Sequence, residues 1–134
     1  MPVTNLQVAA THAQLMQRSL GGRVIALPCA QDIYLLSTWL HGMHYVEGLI
    51  EIFGELQRGL PIDLKREPDN SHDPLAIAVY TEDGLKLGYI PRFENKVLAR
   101  LMDAGKYLKG VIRAKTYSPI GRPGIRIRIY MQNL

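Results

Sequence analysis

The chain has 134 residues, of which 47% are hydrophobic and 21% charged, with a single cysteine and a formal net charge of +4. That length buries one apolar core without crosslinks, and the composition excludes disordered, collagen-like and disulfide-stapled chains. Cys29 has no partner for an internal bridge, no Cys/His grouping has zinc spacing and no apolar run reaches bilayer length, so a soluble, cytoplasmic chain without membrane contact is expected.

Residues 1–30 carry the weakest pattern. Leu6, Ala9, Ala13 and Met16 at helical spacing suit an amphipathic helix ended by Gly21–Gly22, and an extended arm fits equally well. From Ile33 the pattern turns to sheet, and IYLLSTWLHG reads as a first strand. GMHYVEG is a short segment bracketed by glycines, and LIEIFGELQRG reads as a turn of helix stopped at Gly59. In LPIDLKRE the apolar Leu60, Ile62 and Leu64 alternate with Asp63, Lys65 and Glu67, the mark of a half-buried strand.

LAIAVYTEDGLKLGYI is a hairpin whose two runs meet at Asp83–Gly84, a pair suited to positive φ. Glu94 to Ala104 is predicted helical, with Val97, Leu98, Leu101 and Met102 on one stripe and Gly105 as its stop. KGVIRAKTY and GIRIRIYMQ form a second hairpin around SPIGRP. Large aromatics at strand positions usually pack inward, so Trp39, Tyr80 and Phe93 are expected in the core or a pocket wall. The order predicts a mainly β fold, a small antiparallel barrel of about six strands with one or two inserted helices, α+β by content.

The positive charge is concentrated at one end. Residues 1–84 hold 5 basic and 10 acidic side chains, residues 85–134 hold 11 and 2, so the blocks carry −5 and +9. Clustered Lys and Arg suit a polyanion, because each neutralised phosphate releases counterions; a solvated sheet face in a basic protein is the plain alternative. With Ile125, Ile127 and Ile129 facing the core, Arg126 and Arg128 point the other way, and Arg113 and Lys115 alternate likewise on the partner strand. If these sets share a face they make one positive stripe, with Arg122 at the turn.

The run LKREPDNSHDPLAIAVYTEDGLKLGYIPRFENKVLARLMDAG resembles the HIRAN domain, its turn, strand and helix signals falling in register, and the resemblance extends from about residue 31 to the C-terminus. It implies a modified OB-like barrel without catalytic activity or cofactor, which captures the 3′ end of single-stranded DNA in repair or replication-fork processing, with DNA-processing proteins as further candidate partners. In a bacterial source such a protein would sit at the nucleoid. Carried over residue by residue, Tyr45 supplies an aromatic platform for a terminal base, with His44 beside it. Asn70, His72 and Asp73 lie close to the terminal sugar, and Tyr89 and Arg92 border the same pocket. Two positions depart from the pattern: His72 stands where an aromatic residue is usual, and His44 where a fork-remodelling member has Arg.

The residue types have a physical logic of their own. A carboxylate at Asp73 accepts a hydrogen bond from a free 3′-hydroxyl and repels a phosphate, while Asx side chains in such a loop also cap backbone amides. Arg66 and Glu67 read as charges that brace the loop. Two other readings stand beside DNA binding: Glu67, Asp69, His72 and Asp73 drawn as a Mg²⁺-dependent nuclease site, and a protein-interaction barrel with an acidic partner. His12 and His41 have no sequence partner, and no Ser or Cys has the setting of a catalytic nucleophile.

Overall fold

The computed structural model describes residues 32–132, so the helix or arm expected over residues 1–30 lies outside them. Apolar alternation becomes strand in six places: β1 (Ile33–Trp39), β2 (Pro61–Arg66), β3 (Ile77–Thr81), β4 (Lys86–Tyr89), β5 (Leu108–Tyr117) and β6 (Pro123–Met131). A single 3-10 turn (Met43–Tyr45) and the short helix α1 (Leu49–Phe53) separate β1 from β2, and α2 (Arg92–Asp103) separates β4 from β5.

The strands form one sheet in the order β1-β6-β5-β2-β3-β4. Both hairpins read from the sequence are present, β3 with β4 and β5 with β6, each antiparallel. Gly84 holds φ at 91° in the first of them, the left-handed conformation that its turn requires. β2 joins the hairpins, pairing with β3 on one side and β5 on the other. The fold is therefore mainly β, as the sequence pattern indicated, and OB-like, as the family resemblance implied.

One end of the sheet is closed. The Leu40 N–H donates to the Ile125 carbonyl of β6 at 2.9 Å, and the next residue, His41, exchanges two 2.8 Å backbone hydrogen bonds with Tyr89 of β4. Leu40 and His41 continue β1 past Trp39, so Leu40 keeps its place beside β6 while His41 bridges to β4, and the two outermost strands, β1 and β4, meet at that point. Gly88 makes the approach feasible: a Cβ there would stand 2.8 Å from the His41 carbonyl oxygen and 3.1 Å from Met43 Cγ.

Ile125, Ile127 and Ile129 of β6 are fully buried, packed with Ile62, Ile77, Val79, Leu87, Leu98 and Ile112. Each such side chain stabilises the fold by about 1.5–3 kcal/mol relative to exposure. Three expectations about packing are corrected. Trp39 is 43% exposed, because Thr38 and Leu40 on either side of it take the buried positions, and Phe93 is 78% exposed. On α2, Val97 also faces outward, and the buried set is Asn95, Leu98 and Ala99. Asn95 tolerates burial because its amide has a partner, described below.

The basic residues of the last hairpin do not share one face. The β5–β6 register slips between Ile112 and Ala114, so Ile112 opposes Ile127 while Lys115 opposes the buried Ile125. A bulge at Arg113 re-aims everything after it. Lys115 Nζ consequently reaches the end of α1, donating to the carbonyls of Phe53 at 2.8 Å and Gly54 at 3.3 Å, where a cation complements the helix C-terminus.

Candidate nucleic-acid interface

The loop between β2 and β3 is built by its own polar side chains. The Asn70 Oδ1 accepts from the backbone N–H groups of His72 (2.8 Å) and Asp73 (3.1 Å), while its Nδ2 donates to Glu67 Oε1. Asp73 Oδ1 accepts from the Leu75 N–H at 2.9 Å, and its Oδ2 accepts from Asn95 Nδ2 of α2 at 2.8 Å. Asx residues thus replace secondary structure as the source of hydrogen bonds for this backbone.

Two charged residues fasten the loop from outside. Arg66 pairs with Asp103 through Nε and Nη2, at 2.9 and 3.1 Å, and donates to the carbonyls of Ala76 and Pro74. Glu67 accepts from the Tyr89 hydroxyl at 2.8 Å and pairs with Lys86, which also donates to the Tyr89 oxygen. Burial pushes the Glu67 carboxyl up, yet hydrogen bonds from Asn70 and Tyr89 and the charge of Lys86 outweigh it and leave the group below its ordinary value. The bracing role read for Arg66 and Glu67 is the one their geometry performs.

Between this loop, β4 and the closure residues lies a cleft of about 310 Å³. His41 and Gly42 form one wall, Asn70, His72 and Asp73 another, and Tyr89, Arg92 and Asn95 complete the polar lining. Asp73 is the anion in it. Hydrogen bonds from Asn95 and Leu75, then the charges of Arg92 and Arg66, hold its carboxyl below the usual range against the opposing effect of burial. Arg92 lies 3.6 Å from Asp73 Oδ2, with its side chain 76% exposed, so its guanidinium is open to solvent at the rim. Each Asp73 oxygen has one protein donor and therefore keeps acceptor capacity for a ligand hydroxyl.

Five of the residues singled out from sequence thus meet around one cavity: Asn70, His72, Asp73, Tyr89 and Arg92. His44 and Tyr45 stand next to it. Their rings pack 4.0 Å apart at a 41° tilt, Tyr45 is 84% exposed, and His44 lines an adjoining groove of about 290 Å³ with Arg122, Pro123, His41 and Gly42. Of the more distant basic residues, Arg126 is exposed on β6, Arg128 is half-buried beneath Tyr34, Arg113 sits at the bulge and Lys115 serves α1.

Sequence reasoning missed His41 and Asn95. His41 enters the site through its backbone bridge to Tyr89, a pairing across 48 positions that no local pattern reveals. Phe93 packs edge-on against His41 at 5.8 Å. Asn95 had a signal that was available, a polar residue one helical turn before the apolar pair Leu98–Ala99. Among the described residues no three His, Cys, Asp or Glu side chains are grouped so as to hold a metal ion, and Glu67 is turned toward Lys86 and Tyr89.

A curled six-stranded sheet with a cleft where His41 meets Tyr89 defines an OB-like β domain. The chain belongs to the HIRAN domain family, whose pattern matches residues 33–132. A crystal structure of a protein from Lactobacillus plantarum is similar at 29% identity and a TM-score of 0.67, covering 75% of this chain and 95% of that one. The crystal structure of the HIRAN domain of human HLTF is similar at 19% identity and a TM-score of 0.58, covering 75% and 78%. The NMR structure of the same human domain in its DNA-bound conformation gives 20% identity and a TM-score of 0.49, covering 77% and 81%. No curated protein matches the chain.

Proposed function

We propose that this HIRAN domain is a non-catalytic DNA-binding module, and that its cleft receives the free 3′-hydroxyl end of a single strand during repair or fork processing. Asp73 carries the reading. Its carboxylate is kept anionic by Asn95 and Leu75, lines the cleft, and stands beside the exposed cation of Arg92. A hydroxyl finds an acceptor there; a terminal phosphate meets a fixed negative charge. Arg92 supplies a positive contact for the phosphate one step back from the end, and Tyr45 and His44 offer ring faces to the neighbouring base.

The test is fluorescence anisotropy of the full chain with three strands of one sequence, ending in a 3′-hydroxyl, ending in a 3′-phosphate, or buried in a blunt duplex. The hydroxyl end should bind at least tenfold tighter, about 1.4 kcal/mol. Asp73→Asn keeps the acceptor for Leu75 and removes the charge, so it should erase the distinction between hydroxyl and phosphate ends. Equal affinity of the wild-type chain for all three strands would refute the end site.

A further inference from the structure

The cleft does not end at its rim. Two of its lining residues, His41 and Gly42, also line the groove of His44, Arg122 and Pro123, so the two depressions are continuous. Pro123 is the first residue of β6, and the outward positions of that strand run on from it as Gly124, Arg126, Arg128 and Tyr130.

Aromatic surface follows the same line. A Cβ on Gly124 would lie 3.6 Å from the ring of Trp39, so the indole rests against the glycine, 43% exposed. Further along, the Arg128 guanidinium packs 4.3 Å from the Tyr34 ring and 5.6 Å from that of Tyr130. Tyr34 meets Tyr130 edge to face at 5.8 Å, and its hydroxyl shares a hydrogen bond with Ser37. These contacts fix the Tyr34 ring while leaving it 47% exposed. Arg128 Nε is buried without a hydrogen-bond partner among the described residues, which leaves the guanidinium short of one acceptor. Arg126, exposed, lies between the two aromatic groups.

Core packing does not require this arrangement, since the apolar needs of β6 are met by Ile125, Ile127 and Ile129 on its other face. Separated aromatic faces interleaved with arginines on an open sheet surface are the means by which OB-type barrels hold single strands, stacking the bases and neutralising the backbone. From Trp39 to Tyr34 the strand advances roughly 17 Å, room for several extended nucleotides. Resting on the reading of the cleft as a 3′-end site, we propose that the DNA 5′ to the captured end passes between His44 and Arg122 and is bound along the outer face of β6, its bases stacking on Trp39 and Tyr34 and its phosphates meeting Arg122 and Arg126.

Trp39 is the only tryptophan in the chain, so it reports on its own contact. The probes are oligothymidylates with a free 3′-hydroxyl, one a dinucleotide and one of about ten nucleotides, within the roughly 4–16 that an OB-type barrel covers. The longer strand should bind at least tenfold tighter and quench the Trp39 emission; the dinucleotide should bind without quenching. Tyr34→Ala and Arg126→Glu, both exposed positions, should each remove most of the length advantage and leave dinucleotide affinity unchanged, and Trp39→Phe should retain most of it. A dinucleotide that binds through its free hydroxyl, with no gain from length and no quenching, overturns the track and keeps the end site. Length gain and quenching that persist on 3′-phosphate ends support the track and refute the end site. Absence of binding to either probe overturns both.

Discussion

The loop from Arg66 to Ala76 and the outer face of β6 both hold polar and charged side chains, yet they use them in opposite ways. In the loop four side chains answer the surrounding polar groups: Glu67 meets Tyr89 and Lys86, Asn70 caps two amides, Asp73 caps Leu75 and holds Asn95, and Arg66 spans Asp103 and two carbonyls. On β6, Arg126 is exposed and Arg128 has stacked rings in place of an acceptor for Nε. In the loop the side chains proposed to meet a ligand also hold the backbone, which makes their removal ambiguous. The strand face shows the reverse: because the isoleucines behind it carry the fold, its side chains are separable from stability.

The contrast breaks most sharply at the closure that joins the two regions. Gly88→Val places a branched side chain against the His41 carbonyl and should cost about 3 kcal/mol by overpacking and loss of the bridge, read as a lowered urea midpoint. Arg66→Ala removes the donor to Asp103 and to the Pro74 carbonyl and leaves the Ala76 carbonyl with the Glu67 N–H alone, and should cost about 2 kcal/mol in the same measurement, although Arg66 touches no ligand in this scheme.

Acid acts on the same loop. The Asp73 and Glu67 carboxyls are both held below their ordinary values, so their contribution to stability is fully present above the unfolded-state values and is lost as pH falls through the lower folded-state ones. Urea midpoints should therefore be level at neutral pH and decline below about pH 4, with Asp73→Asn showing a shallower decline. The smallest effect belongs to the strand face. Arg126→Ala should change stability by less than about 0.5 kcal/mol while weakening binding and lowering its salt dependence by about one phosphate's worth. A large loss of stability there would erase the distinction between the two regions.

What the sequence disclosed follows the range of the forces involved. The hairpin at Asp83–Gly84 and the stop at Gly105 are written in adjacent residues, since turn chemistry is local, and both glycines hold positive φ. The alternation in β2 and β6 told the buried face from the exposed one for the same reason. What stayed hidden depends on residues far apart in the chain. The bulge that turns Lys115 inward arises from how β5 pairs with β6, and His41 joins the cleft only because β4 lies opposite it. Trp39 and Phe93 are large and apolar, so size argued for burial; the seats around them are filled by Thr38, Leu40 and Asn95 instead. The motif loop was legible as a shaped turn from its Asx and Pro content, while the partner that fixes Asp73 lay 22 residues away on α2.

The backbone bridge between His41 and Tyr89 has a thermodynamic consequence. A guest in the cleft touches the residues that clasp the sheet, so occupancy and closure are linked: whatever binds the clasped form suppresses its opening in proportion to its concentration over its dissociation constant. The amide protons of His41 and Tyr89, each hydrogen-bonded to the other residue's carbonyl, would then exchange with solvent more slowly in the presence of ligand, and would serve as two gauges of occupancy at the seam itself.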